Sequence, residues 1–264
     1  MTDLPYLGNA WSREEKVASI AEAGFDGVEF IMEEAEHRNA MVSLTEKYQL
    51  KRGNIVFPWS SEAFKDDIKA AQDGGATHIN LQPMPMPRTV AEGVPYIVQC
   101  MELAASADIP LFIETHRDRM TTDMYFTLDL MEAIPEMVLC GDLSHFVVAR
   151  EFAGPPISAE NQAYMTQIVE RCGLFHGRVA SREQVQVPIS FPHNKIWLDL
   201  FAGWWEQGFK HFKATASEDA TLTFVVELGP PGYAMQGADG KELSDRWADS
   251  NQIKDLVREI WERC

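Results

Sequence analysis

Basic charge is scarce in this 264-residue chain: 23 Lys and Arg stand against 40 Asp and Glu, a formal net charge of −17. Nucleic-acid backbones are held by a cationic face, so a nucleic-acid partner is not expected. The surplus acid otherwise reads as a solvated surface and selects no substrate. Cysteine is sparse and scattered. Cys100, Cys140, Cys172 and Cys264 include no CxxC pair, which argues against a disulfide framework or a zinc knuckle and fits reduced thiols in a cytoplasmic setting. No apolar run approaches the ~20 residues of a membrane-spanning helix. No basic stretch followed by an apolar core stands at the start, so no signal peptide is visible. A soluble cytoplasmic protein without a membrane partner is the expectation. A GxGxxG after the first apolar segment is also missing, which argues against a dinucleotide-binding doubly wound sheet. No glycine-rich phosphate loop follows the last apolar segments, and that favours an unphosphorylated substrate.

What the chain does have is a repeated sentence: a short apolar run climbing to one chemically active residue. Ile109-Pro-Leu-Phe-Ile113 ends in Glu114, Met137-Val-Leu-Cys-Gly141 in Asp142, Gly173-Leu-Phe175 in His176, and Thr221-Leu-Thr-Phe-Val-Val226 in Glu227. Continuous apolar runs of this length read as parallel strands covered on both faces. Four more strands are expected upstream, at about Leu4–Ala10, Gly27–Ile31, Asn54–Phe57 and His78–Gln82. Helical spacing fills the intervals. Ser12 and Glu15 form a capping box for the first helix, and Gly24 ends it. Ser60 or Ser61 caps a helix stopped at Gly74-Gly75, and Thr122 and Ser158 start two more. A long loop is expected from Val147 to Pro156. A last helix carries Ile253, Leu256, Val257, Ile260 and Trp261 as one apolar stripe. Eight strands alternating with helices, without a linker, predict an α/β protein, a (β/α)8 TIM barrel, as a single domain over residues 1–264.

Active sites of such barrels sit at the C-terminal ends of the strands. Glu114, Asp142, His176 and Glu227 would therefore meet at the mouth, from strands five to eight. Three carboxylates brought together repel one another unless a cation neutralises them. One imidazole with carboxylate oxygens suits a divalent ion, Mn²⁺ first, with Mg²⁺ or Co²⁺ as close alternatives and Zn²⁺ less favoured for want of thiolates.

These residues carry a resemblance. Glu at strand five, Asp142-x-x-His145 at strand six, His176 with Arg182 six residues on, and Glu227 at strand eight resemble the xylose-isomerase-like TIM-barrel superfamily, and within it the sugar epimerases of the D-tagatose/D-psicose 3-epimerase kind. The resemblance implies that Glu114, Asp142, His176 and Glu227 bind the metal. It further implies that Glu114 and Glu227 are the acid/base pair, and that His145 and Arg182 hold substrate oxygens. The implied activity is isomerisation or epimerisation of a sugar or keto-sugar through a metal-stabilised enediolate. The same scaffold also serves a dehydratase or lyase of the inosose or dehydroshikimate type. An endonuclease IV-like nuclease needs extra histidines where Trp59 and Gln82 stand, and a non-catalytic sugar-binding barrel would not keep the ligand set. Met120 occupies the position of a second Glu found in many epimerases, and the loop after Glu227 is long enough for a lid.

Further candidates are substrate contacts. His116, just past Glu114, belongs where a substrate group would lie. Trp11 and Trp59 offer aromatic faces to a sugar ring, and Glu29 offers a carboxylate to a hydroxyl, though each also reads as packing or backbone support. His78, at the start of its strand, reads as structural. The Trp197–Trp205 stripe reads as core or as the interface of a homo-oligomer.

Overall fold

The structure, a computed structural model, describes Pro5–Tyr6 and residues 9–264. The chain divides into two compact units, Met1–Ile113 and Glu114–Cys264.

The first unit begins with β1 (Pro5–Tyr6) and β2 (Asn9–Ala10), which pair antiparallel. The parallel strand expected over Leu4–Ala10 is corrected to this short pair as far as its residues are described. Helix α1 (Arg13–Glu22) follows, with the expected capping box: Glu15 N–H donates to Ser12 Oγ at 3.2 Å and Ser12 N–H to Glu15 Oε2 at 2.6 Å. Gly24, at φ 76°, takes the left-handed turn that releases the chain. Then come β3 (Gly27–Phe30), α2 (Ala35–Lys47), β4 (Lys51–Val56), α3 (Ser61–Gly74), β5 (Ile79–Leu81), α4 (Val90–Ser106) and β6 (Leu111–Glu114). β3, β4, β5 and β6 pair side by side in that order, all parallel. All three β5 residues are buried, and the polar one, Asn80, donates to Glu29 Oε2 at 3.4 Å.

The second unit continues with α5 (Met124–Ala133), β7 (Leu139–Gly141), α6 (Ser144–Ala149), α7 (Ala159–Val169), β8 (Cys172–Gly177), α8 (Lys195–Thr215), β9 (Thr223–Val226) and α9 (Arg246–Arg263). β7 pairs with β8 and β8 with β9, again parallel. Two expectations shift here. α5 is capped by Asp123, whose side chain accepts from Phe126 N–H, rather than by Thr122. The predicted loop after Val147 begins late, because Ser144-His-Phe-Val-Val-Ala149 forms α6. The tryptophan stripe of α8 is core: Trp204 and Trp205 are 1% and 0% exposed. Phe175, Phe209, Phe224 and Trp205 meet edge to face between β8, β9 and α8, fixing the strands that carry His176 and Glu227. Among the described residues no helix is long and apolar enough to cross a membrane.

Candidate metal centre

Glu114 is the last residue of β6, Asp142 follows β7, His176 is the penultimate residue of β8, and Glu227 follows β9. The parallel register aligns Gly141 with Phe175 and His176 with Val225, so the strand ends bring these side chains to one place. One donor atom from each of Glu114, Asp142, His176 and Glu227 lies within 4.8 Å of the others. His176 Nδ1 is 2.8 Å from Glu227 Oε2 and 3.8 Å from Glu114 Oε1. Glu114 and Asp142 are fully buried, while the Glu227 side chain keeps 35% of its surface. Glu227 is therefore the carboxylate a ligand can reach from outside.

The cluster is held from behind. Asp142 Oδ1 accepts from Ser144 N–H at 3.1 Å and from Ser144 Oγ at 2.5 Å. Its other oxygen faces Arg178 Nε at 3.1 Å and His145 Nε2 at 3.3 Å. Thr121 Oγ1 donates to the Glu114 carbonyl at 2.6 Å and accepts from His116 N–H at 3.1 Å. Thr115 Oγ1 donates to the Asp142 carbonyl at 2.9 Å. Such backing orients ligands and is part of a metal site's design.

Burial would push Asp142 upward, but the charges of His145 and Arg178 outweigh it and hold the carboxyl well below its usual range. Glu227 follows the same pattern: burial opposes ionisation, Arg178 and His176 win, and the group stays far below an ordinary glutamate. For His176 burial favours the neutral ring, yet Cys140, Glu114 and Glu227 together raise it well above a free histidine. His116 goes the other way, driven down to about 3 by burial first and by His145 second. Arg178 remains a guanidinium, because Glu227 and Asp142 overcome its desolvation.

The donor set fits a divalent cation. With His176 as a neutral ligand and the three carboxylates ionised, as metal binding requires, the one guanidinium of Arg178 would leave two negative charges in a largely buried site. Uncompensated buried charge is costly, and one divalent ion closes the balance. The oxygen-rich ligands suit a hard or intermediate ion.

Of the other candidates, His145 lies in the first turn of α6, 1% exposed, and its ring packs against His116 with centroids 3.9 Å apart. Arg182 does not join the cluster. Its side chain is 45% exposed and pairs with Glu151 at 3.1 Å and Glu183 at 3.7 Å. The arginine at the site is Arg178, two residues after His176, which sequence reading passed over. Its signal was its setting, since Cys172 through Ala180 form an unbroken buried stretch. Cys140 was also missed. With Glu114 and His176 it forms another group of mutually close donors. So was Tyr233, whose ring covers Arg178 at 4.6 Å and Arg117 at 5.2 Å. Trp11, Trp59 and Glu29 belong to the first unit. Trp59 is 70% exposed, Trp11 half-buried, and Glu29 is a buried acid 3.0 Å from His78 Nε2. Glu29 thus serves as the interior partner of His78, whose structural reading the pairing supports.

No family model and no curated protein matches the sequence. Solved structures do match. A xylose isomerase-like TIM barrel protein from Mycobacterium smegmatis, in complex with magnesium, aligns with TM-score 0.63 at 9% identity, over 94% of this chain and 88% of that one. A D-psicose 3-epimerase in the presence of D-fructose gives 0.61 at 12% identity, over 95% and 94%. A family 2 AP endonuclease from Brucella melitensis gives 0.52 at 12%, over 84% and 89%. Proteins with such different names share this backbone, so the likeness speaks for architecture. The chain has the fold of the xylose-isomerase-like TIM barrels.

Proposed function

We propose that the protein is a divalent-metal-dependent isomerase or epimerase of a sugar or keto-sugar, with Glu114, Asp142, His176 and Glu227 as the metal ligands. The observation that carries this reading is the pairing of two glutamates with one histidine at the same centre: His176 Nδ1 is 2.8 Å from Glu227 and 3.8 Å from Glu114. A bound divalent ion supplies Lewis acidity to a carbonyl oxygen next to the carbon that loses its proton. Glu114 and Glu227 act as the acid/base pair. One, ionised, takes a proton from carbon; for epimerisation the other, protonated, delivers its own proton to the opposite face, and for aldose–ketose exchange the first glutamate passes its proton to the neighbouring carbon. Arg178 keeps Glu227 ionised and ready to accept a proton, at some loss of basicity. Tyr233 lies over Arg178 and restricts water on that side. The sugar and epimerase likenesses among solved structures support the same reading. The substrate is an unphosphorylated small carbohydrate, since no glycine-rich phosphate loop accompanies the centre.

The test is incubation of Mn²⁺-loaded protein with a panel of keto-sugars in D₂O. The expected result is solvent deuterium in an otherwise unchanged formula, abolished in Glu114→Gln and Glu227→Gln. Loss of water from the substrate would assign the chain to dehydratase chemistry instead. Cleavage of abasic-site DNA without any sugar exchange would sink the proposal.

A further inference from the structure

We infer that Glu114, His116 and His145 form a second cation position beside the first, sharing Glu114 with it and selecting a borderline ion such as Zn²⁺ or Co²⁺. The inference rests on Glu114 being a ligand of the centre proposed above. One donor atom from each of these three residues lies within 4.8 Å of the other two, a group distinct from the one completed by Asp142, His176 and Glu227. The His116 ring is set for ligation. Its Nδ1 is 2.5 Å from the Arg117 carbonyl, which can only accept, so that nitrogen carries the proton and Nε2 presents a lone pair. Metal-bound histidines show this arrangement, with the far nitrogen donating to a backbone carbonyl.

An independent observation comes from His145. Its side chain is 1% exposed; Nε2 faces Asp142 Oδ2 at 3.3 Å, while Nδ1 is buried without a hydrogen-bond partner. Leaving buried polar atoms unsatisfied costs roughly 1–3 kcal/mol per group, so such atoms call for an explanation. A cation reached by His145 and His116, whose rings lie 3.9 Å apart, provides one. Thr121 fixes the third ligand and the first histidine together, through the Glu114 carbonyl and the His116 amide.

Two imidazoles and one carboxylate with the remaining positions open is the ligand type of catalytic zinc sites. Mg²⁺ demands oxygen ligands and has little use for imidazole. The second position has no carboxylate of its own, so it binds more weakly than the first.

Metal-free protein is equilibrated separately with Zn²⁺, Co²⁺ and Mg²⁺, and bound metal per chain is counted by elemental analysis after removal of free ion. The expected counts are two for Zn²⁺ or Co²⁺ and one for Mg²⁺. His116→Gln and His145→Gln, each checked for native circular dichroism, lower the Zn²⁺ count to one and leave Mg²⁺ at one. A count of one with every ion overturns the second position and leaves the proposed function standing. Two Zn²⁺ retained in both variants also overturns it, because the extra ion then sits elsewhere. No bound ion of any kind overturns both.

Discussion

Arg178 Nη2 lies 2.6 Å from Glu227 Oε2, and the guanidinium it belongs to is 1% exposed. The arginine thus stands as a built-in cation between the carboxylates of Asp142 and Glu227. Its removal leaves buried carboxylates uncompensated. In metal-free protein, Arg178→Met is expected to lose about 3–5 kcal/mol of stability, the usual result of breaking a buried ion pair from one side. Urea unfolding measures it. Saturating Mn²⁺ is expected to recover part of the loss, since the added cation faces the same oxygens. A loss below about 1 kcal/mol would show that the arginine is not holding the carboxylates together.

Metal itself is expected to stabilise the fold. A ligand that binds only the native state at one hundred times its Kd contributes about 2.7 kcal/mol, which for a chain of this size raises Tm by roughly 5–10 °C. Thermal melting with and without Mn²⁺ reads this directly. Asp142→Asn is expected to remove most of the shift.

Asp67, on α3, gives the first unit a pH dependence. Burial, then Glu33 and Asp66, raise its carboxyl from the ordinary 3.8 to about 7. The folded state therefore holds a proton that the unfolded chain releases near pH 4. Stability is fullest at low pH and declines as pH rises from about 4 to about 7, at up to about 1.4 kcal/mol per unit. Asp67→Asn is expected to flatten that slope and to exceed the wild type in stability at pH 8. Urea titrations at pH 5 and pH 8 decide it, and parallel curves for the two proteins would refute the assignment.

Gly177 tests how tightly the strand bearing His176 is seated. A Cβ there would collide with Phe224 Cε1 and meet Ile253 Cγ2 at 3.3 Å. Gly177→Ala is expected to cost about 1–3 kcal/mol through overpacking. It is also expected to weaken metal binding, because the displaced ring lies on the strand that leads to Glu227. Denaturation and a metal titration together check both effects.

The cluster of Glu114, Asp142, His176 and Glu227 was legible in the sequence because strand ends announce themselves: an apolar run that is covered on both faces can place a charged residue only where the strand leaves the sheet. Arg178 was harder. An arginine reads as a surface group unless its neighbours are considered, and only the unbroken burial from Cys172 to Ala180 shows that it lies inside. The spacing from His176 pointed instead to Arg182, which the fold leaves facing Glu151. His116 was read as a substrate contact from its place just past Glu114; its burial depends on Thr121 turning the loop back, a contact no periodicity reveals. The first strand failed for a different reason. Short segments containing Pro and Gly satisfy a strand pattern as easily in a local antiparallel pair as in a parallel sheet, and β1 and β2 take the local solution.

The segment bearing Tyr233 is fastened near both of its ends. Gln186 exchanges two hydrogen bonds with Gly229, at 2.7 and 3.0 Å, and Arg246 grips Leu228 O at 3.1 Å and Glu242 Oε2 at 2.6 Å. A strip pinned in this way cannot slide along the surface. Because one phenol ring covers both Arg117 and Arg178, any displacement of Tyr233 uncovers the two guanidinium groups together.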